Sequence, residues 1–200
     1  MEIKALEFTK APGGGSVAAY SGLLAASLGQ MMCNLTIGKA KYVDVEPRVQ
    51  EIKAELQRWA RRLRELIAED AASFEGVLIA YRQPKDTEEQ KADRKRQIDI
   101  ATRGAVDVPL QTARAALEVL KLLADVSKVG NPNALPDVTV GSRLAQTGVK
   151  GAHYNIAINL KTLADRAAAE DIERQTGELI SETERLAAEI ESIMLKQMEK

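Results

Sequence analysis

The segment from Pro12 to Tyr42 constrains the fold of this chain more than any other part of the sequence. It begins with a proline and three consecutive glycines, which interrupt regular helices and let the backbone approach a ligand or another chain closely. Ser16 is a suitable N-cap, and the residues after it are mostly Ala, Ser, Gly and Leu up to about Ile37. A helix with so little side-chain bulk is suited to close packing against other helices.

The two ends of this helix carry features of a binding site. The glycine run precedes it, and Asn34, Lys39 and Lys41 follow one another closely at its far end. A glycine run before a helix often binds phosphate, but a Walker motif needs Lys and then Ser or Thr after the last glycine. A dinucleotide site needs a buried strand before the glycines, and no convincing strand precedes Pro12. We therefore expect no nucleotide, although the helix amides can hold another anion, such as a carboxylate.

Composition limits the classes of protein to which the chain can belong. Its 200 residues with 45% hydrophobic content are enough for one domain, residues 1–200, with a proper core. The net charge is −1, with 28 basic and 29 acidic residues mixed along the chain, which predicts neither nucleic-acid nor membrane binding. We see no membrane-spanning run and no signal pattern. The single cysteine, Cys33, fits a cytoplasmic protein.

The residue types and the positions of the prolines predict helices almost everywhere. Leu, Ala, Glu, Lys and Arg are abundant, and aromatic residues make up only 4% of the chain. We predict an all-α bundle with one very long helix, the second, and we expect a second subunit to complete it as a homodimer. The predicted helices are Ser16–Ile37, Val45–Tyr81, Thr87–Asp107, Pro109–Lys128, Val138–Leu160 and Ala164–Met198.

A carboxylate lies on the apolar stripe of the second predicted helix. Steps of three or four residues define the stripe: Val49, Ile52, Leu56, Trp59, Leu63, Ile67, Phe74, Val77 and Tyr81. Asp70 falls between Ile67 and Phe74 and keeps the same spacing. A carboxylate among core-facing positions is costly unless it is paired or used. Asp70 is therefore either a structural residue bonded to a neighbouring helix, or a general acid/base or the counter-ion of a cationic substrate.

Other polar residues have simpler structural interpretations. Asp137 follows a Gly-, Asn- and Pro-rich turn and is expected to cap a helix. Asn155 and Asn159 share a helix face, where amides usually bond to a neighbouring backbone. His153 is the only histidine and has no partners at metal-ligand spacing, so no metal site is predicted.

Several short motifs, in order, resemble those of the cyclodeaminase/cyclohydrolase family. This family includes the cyclodeaminase half of formiminotransferase-cyclodeaminase and the stand-alone bacterial methenyltetrahydrofolate cyclohydrolases. The resemblance covers nearly the whole chain from Pro12 onward. The motifs are PGGGSVAA (Pro12–Ala19), NLTIGKAKY (Asn34–Tyr42), the Asp70–Phe74 pair, Pro84–Lys85, Val108–Pro109, GNPN (Gly130–Asn133) and NIAINL (Asn155–Leu160).

The resemblance implies an all-helical dimer with a tetrahydrofolate pocket near the subunit interface. It implies no metal and no cofactor beyond the tetrahydrofolate substrate. Asp70 matches the catalytic acidic residue of the family and would move the proton to or from water or departing ammonia. The implied substrate-binding residues are Gly13, Gly14, Gly15, Ser16, Asn34, Lys39, Lys41, Asp137 and Asn159.

Two reactions fit the resemblance. A cyclohydrolase adds water to 5,10-methenyltetrahydrofolate and opens the ring to 10-formyltetrahydrofolate, whereas a cyclodeaminase closes 5-formiminotetrahydrofolate with loss of ammonia. The segments NLTIGKAKYVDVE (Asn34–Glu46) and PKDTEEQK (Pro84–Lys91) look more like the stand-alone cyclohydrolases and favour that reaction. A non-catalytic folate-binding or scaffold protein that has kept the fold is the further alternative. A cavity that holds both Asp70 and the glycine run would favour an enzyme.

Overall fold

The computed structural model describes residues 13–199, which form an all-α bundle as predicted. No β-strand occurs in that range. A short 3-10 turn follows the first helix, at Ala40–Tyr42, and another precedes the fourth, at Pro132–Ala134. The five α-helices are α1 Gly14–Thr36, α2 Glu46–Tyr81, α3 Glu88–Val129, α4 Leu135–Leu160 and α5 Arg166–Met198.

Helix α1 packs closely against three neighbours because its contact face is made of very small residues. A Cβ atom added to Gly29 would come within 3.0 Å of side-chain atoms of both Leu56 on α2 and Leu123 on α3. A Cβ atom added to Gly148 on α4 would lie 3.1 Å from the backbone oxygen of Ala18. Close approach of this kind needs glycine or alanine at the contact.

The main core lies between α1, α2, α3 and α4, and α5 covers one side of it. Met32, Leu56, Leu63, Leu120 and Leu123 are among its fully buried side chains. The amphipathic helix α5 contributes fewer buried residues. Its polar side is linked to α3 and α4 by the ion pairs Lys128–Glu189, Arg143–Glu191 and Lys150–Glu184. These pairs are exposed, so each contributes at most about 1 kcal/mol and the apolar contacts hold α5.

The predicted break at Pro109 is wrong. The helices expected at Thr87–Asp107 and Pro109–Lys128 form a single helix, α3, of 42 residues, with Pro109 inside it. Helix α2, expected to be the one very long helix, has 36 residues and is shorter than α3. Proline usually ends a helix because it removes one backbone hydrogen bond. Here a donor from α4 bonds the carbonyl that Pro109 leaves without its helical partner.

Helix starts differ by a few residues from the predictions. Helix α1 begins at Gly14, with Gly13 as its N-cap, so Ser16 is the third residue of the helix and not its cap. Helix α4 begins at Leu135. Asp137 is therefore in its first turn and is not the expected cap residue. Pro12 lies outside the described residues, and in the described part no helix is long and apolar enough to cross a membrane.

Candidate active site

Asp70 projects from α2 onto the N-terminal turn of α1. A Cβ atom added to Gly15 would lie 2.6 Å from Cγ and 2.8 Å from Oδ2 of Asp70, so no larger residue fits there without displacing the carboxyl group. The free N–H groups at a helix N-terminus favour a negative charge nearby. The glycine at position 15 therefore allows the carboxylate to sit against the backbone of α1.

Ser16 fixes the orientation of the Asp70 carboxylate. This buried serine donates its hydroxyl hydrogen to Oδ2 of Asp70 at 2.8 Å, and its Oγ lies 3.2 Å from the carbonyl oxygen of Ile67. The hydroxyl carries one hydrogen, and the shorter contact is the one to the charged acceptor. Oδ1 takes no part in this bond.

A cavity of about 340 Å³ opens beside the carboxylate. Backbone from the start of α1 forms one side of it, and residues of α2, α3 and α4 form the others. Its lining residues are Gly13, Gly14, Gly15, Asp70, Ala71, Ser73, Phe74, Val77, Ala105, Asn155, Ile158 and Asn159. Five of the predicted site residues therefore line one cavity: Gly13, Gly14, Gly15, Asp70 and Asn159. Ser16, a sixth, is joined to the cavity through its hydrogen bond to Asp70.

Two asparagines from α4 form a polar wall of the cavity, and Asn155 lies beside the start of α1. Asn155 donates from Nδ2 to the carbonyl oxygen of Gly151 at 2.8 Å. Asn159 donates from Nδ2 to the carbonyl oxygen of Ala105 on α3 at 2.7 Å. Each amide thus uses a donor on protein backbone and retains its oxygen as an acceptor. With Asp70, the cavity combines three side-chain oxygen acceptors with the backbone N–H donors of α1.

The apolar part of the cavity corrects the prediction of a continuous core stripe on α2. The stripe is buried at Val49, Ile52, Leu56 and Leu63 and half-buried at Trp59. Phe74 and Tyr81, in contrast, are 55% and 48% exposed. Helix α1 begins at the level of Asp70, so its described residues do not cover the last turns of α2. Phe74 instead lines the cavity with Val77 and Ile158. An exposed aromatic ring at a cavity mouth can stack on a flat heterocycle.

Four predicted binding residues lie away from this cavity. Asn34, Lys39 and Lys41 are exposed at the opposite end of α1, about 35 Å away at 1.5 Å per residue. Asp137 is half-buried in the first turn of α4, also at that end. Within one chain these residues do not contribute to the site around Asp70.

The polar contacts of the Gly130–Asn133 turn come from Asn131. Its backbone N–H donates to Oγ1 of Thr36 at 2.9 Å, and its Nδ2 donates to the carbonyl oxygen of Leu35 at 3.1 Å. The side chain of Asn131 also accepts from the backbone N–H of Asn133. This turn therefore ties α4 to the end of α1, which is a structural role.

The remaining titratable candidates lie outside the cavity. His153 lines a separate surface cavity between α4 and α5. In residues 13–199 no cluster of three or more His, Cys, Asp or Glu side chains has the geometry of a metal site. Cys33 is a free, buried thiol, and burial raises its pKa to about 11. At neutral pH it is therefore protonated and unreactive.

Sequence reasoning missed part of the site. Asn155 shares its helix face with Asn159, and this spacing of four residues was a usable signal. Phe74 was assigned to the core because its position continues the apolar stripe. No sequence pattern predicts that Ala105 belongs to the site. It lines the cavity because α3 and α4 pack together there.

Comparisons with known proteins identify the family of the chain. A family model described as formiminotransferase-cyclodeaminase matches residues 4–178. The chain is 41% identical to a methenyltetrahydrofolate cyclohydrolase from Methylorubrum extorquens, over 86% of this chain and 82% of that protein. It is 32% identical to formimidoyltransferase-cyclodeaminase from Rattus norvegicus over 89% of this chain, but spans only 33% of the rat protein.

A solved structure has the same fold. The crystal structure of formiminotetrahydrofolate cyclodeaminase from Thermotoga maritima matches with a TM-score of 0.83. The match covers 92% of this chain and 88% of that one, at 25% sequence identity. The similarity therefore extends over the helical bundle as a whole.

Proposed function

Because the chain belongs to the formiminotransferase-cyclodeaminase family, we propose that it is a one-carbon enzyme that hydrolyses 5,10-methenyltetrahydrofolate to 10-formyltetrahydrofolate. The observation that carries this proposal is the Asp70 carboxylate in the cavity. It is held by Ser16 beside the glycine run and faces open volume. A carboxylate in this position suits a cationic amidinium substrate and a proton transfer.

Asp70 is the proposed general base. Water adds to the carbon between N5 and N10 of the methenyl cation while Asp70 accepts a proton from it. The bond from the resulting tetrahedral carbon to N5 then breaks as Asp70 returns its proton to N5. The carbinol hydroxyl releases the second proton of the water to solvent as the C=O of the formyl group forms on N10. No metal or redox cofactor takes part in this proposal. Ser16 keeps Oδ2 occupied, which leaves Oδ1 as the oxygen that handles the proton.

The glycine run and the asparagines are proposed to hold the ring system. Free N–H groups of Gly14 and Gly15 offer donors to the polar atoms of the substrate. Asn159 offers an amide oxygen. Phe74 provides an apolar surface for the flat ring.

The cyclodeaminase reaction is the second candidate. It is supported by the overall structural match to the Thermotoga maritima enzyme and by the similarity to animal formimidoyltransferase-cyclodeaminases. The higher identity to the Methylorubrum extorquens cyclohydrolase, over most of both chains, favours hydrolysis. The same carboxylate would serve either reaction, because both pass through the methenyl cation.

Two assays run on the same protein distinguish these functions. The first follows the loss of methenyltetrahydrofolate absorbance above its uncatalysed rate, and the second follows ammonia released from 5-formiminotetrahydrofolate. We expect faster turnover in the first. Faster ammonia release would assign the cyclodeaminase, and no activity in either assay would favour a folate-binding or scaffold protein.

We further propose that the protein is a homodimer formed through one face of α1 and α4. Residues on this α1–α4 face are uncharged and mostly apolar, and they follow helical steps of three or four. They are Val17, Tyr20, Leu24, Leu28, Met31 and Leu35 on α1, and Val140, Leu144, Thr147, Gly151, Tyr154 and Ile158 on α4. Tyr154 and Ile158 are 69% and 59% exposed. Neighbouring exposed apolar side chains on one face are typical of an interaction surface.

A two-fold axis near the middle of α1 would make the site complete. It would place the Asn34–Lys41 end of one subunit beside the Gly13–Asp70 end of the other. Lys39 and Lys41 would then reach the cavity of the partner and attract the glutamate tail of the folate. Ile158 supports this arrangement because it belongs both to the cavity and to the α1–α4 face. The cytoplasmic location is part of the same proposal, and the free thiol of Cys33 is compatible with it.

A further inference from the structure

A hydrogen bond from Asn159 to the carbonyl of Ala105 replaces the one that Pro109 cannot make. In an α-helix the N–H of residue 109 would donate to the carbonyl oxygen of residue 105. Proline has no N–H, so the carbonyl of Ala105 loses this donor although the helix continues on both sides. Asn159 of α4 supplies the replacement, with Nδ2 at 2.7 Å from the Ala105 oxygen.

This bond fixes which end of the Asn159 amide is offered to a ligand. One N–H of the NH₂ group is committed to the Ala105 carbonyl, which leaves Oδ1 as the acceptor that this cavity-lining side chain can offer. No group among residues 13–199 donates to Oδ1. Without the carbonyl as a partner, the amide would be free to rotate and to present either end.

We propose that Pro109 is a positioning residue that locks Asn159 with its Oδ1 toward the cavity, as an acceptor for an N–H group of the bound heterocycle. Pro109 is buried within α3 and does not line the cavity, so it acts only through the Ala105 carbonyl. The ligand half of this inference rests on the proposed folate function. The positioning half does not depend on it.

A ligand-free measurement tests the positioning half. In protein labelled with ¹⁵N-asparagine, the Asn159 side-chain NH₂ signal is assigned by its loss in Asn159→Ala. We expect hydrogen exchange of this NH₂ to be slowed at least about tenfold relative to the NH₂ of the exposed Asn133. In Pro109→Ala the new N–H competes for the Ala105 carbonyl, and the protection of the Asn159 NH₂ should fall. Unchanged protection in Pro109→Ala would overturn the proposal.

Kinetics test the ligand half with a double-mutant cycle. We expect Asn159→Ala and Pro109→Ala each to raise KM for methenyltetrahydrofolate by about 3- to 10-fold, with a smaller change in kcat. Because Pro109 acts through Asn159, adding Pro109→Ala to Asn159→Ala should raise KM no further. Equal KM increases in both backgrounds would mean that Pro109 acts by another route, and the proposal would fail.

Pro47→Ala is the matched control. Pro47 lies in the first turn of α2, where a missing N–H leaves no helical carbonyl without a partner. We therefore expect Pro47→Ala to have the same KM and the same hydrogen-exchange rate of the Asn159 NH₂ as the parent. If the parent turns over neither methenyltetrahydrofolate nor 5-formiminotetrahydrofolate, the proposed function fails. The hydrogen-exchange result still tests whether Pro109 positions Asn159. If the parent is active but the cycle is additive, the proposed function stands and the positioning fails.

Discussion

At the scale of single residues, the site depends on the fit between Asp70, Gly15 and Ser16. The carboxylate occupies the space where position 15 would otherwise carry a side chain, and the Ser16 hydroxyl holds one of its oxygens. An ionised group costs free energy to remove from water, and these contacts offset part of that cost. The other oxygen, Oδ1, is the one nearest to position 15 and takes no hydrogen bond from Ser16.

Asp70→Asn tests the proposed proton transfer. The amide keeps the size of the carboxyl group and can still accept the hydrogen bond from Ser16, so we expect the melting temperature to remain close to that of the parent. It cannot accept the proton from water, and kcat for methenyltetrahydrofolate hydrolysis should fall by about 10²- to 10⁴-fold. Near-normal absorbance decay in the folded variant would remove Asp70 from the catalytic role.

Gly15→Ala tests the position of the carboxylate without changing any functional group. The added methyl group would overlap the Asp70 carboxyl, so Asp70 must move and turnover should drop at least about tenfold. Gly177→Ala is the matched control, since nothing lies within 4 Å of its added Cβ in α5. The control should keep full activity and gain up to about 1 kcal/mol of stability from helix propensity. Equal activities for the two variants would contradict the close fit.

At the scale of helices, the bundle depends on how closely α1 approaches its neighbours. Glycines on α1 and α4 allow backbone-to-backbone contact, and the side chains of α2 and α3 fill the remaining space. The same closeness positions the site, because α1 must reach α2 for Gly15 to meet Asp70. Helix α3 remains continuous through Pro109 because a side chain from α4 replaces the missing hydrogen bond.

Gly148→Val tests this packing. An added Cβ would lie 3.0 Å from Cβ of Ala116 and 3.1 Å from the oxygen of Ala18, and neither atom can rotate away. We expect a loss of at least about 2 kcal/mol in the free energy of unfolding measured in urea. The same change at the open position Gly177 should cost little. A loss of similar size at both positions would mean that valine propensity and not helix contact is responsible.

At the scale of the whole molecule, the predicted binding residues of one chain form two groups, which lie at opposite ends of α1. The carboxylate and the glycine run lie at one end, and Lys39 and Lys41 lie at the other. The uncharged α1–α4 face joins these two ends. A second copy packed on this face with two-fold symmetry would cover the apolar side chains and bring opposite ends together.

Val140→Lys tests the α1–α4 face. Val140 is 56% exposed, so lysine should be tolerated in the folded chain but would place a charge in the proposed interface. By sedimentation equilibrium we expect the parent near twice the 21.8 kDa chain mass and the variant closer to one chain. Leu195→Lys, at a 54% exposed position on α5, should remain dimeric. A dimeric Val140→Lys would place any interface elsewhere.

Mixing variants tests whether both subunits contribute to one site. Asp70→Asn and the double variant Lys39→Glu/Lys41→Glu should each be weakly active alone. After they are unfolded and refolded together, mixed dimers would contain one complete site, and activity should recover to about a quarter of the parent level for random pairing. No recovery would show that the lysines and Asp70 do not cooperate between subunits.

The sequence alone determined the class of fold and pointed to Asp70 as the central residue of the candidate site. Residue composition and helical spacing predict an all-α bundle, and the spacing of the α2 stripe identifies Asp70 as a candidate site residue. The fold class and the stripe position of Asp70 both follow from local properties, because helix propensity and periodicity depend on residues close together in the sequence. The glycine run was likewise visible as a place for close approach.

Only the tertiary structure decided which of these residues meet. It brought the glycine run to Asp70 and placed Asn155 and Asn159 in the same cavity. It left Lys39 and Lys41 at the far end of α1. It also kept α3 intact at Pro109, because the replacement hydrogen bond comes from a residue 54 positions away from Ala105. Contacts between distant segments depend on how helices pack, and no local pattern in the sequence encodes them.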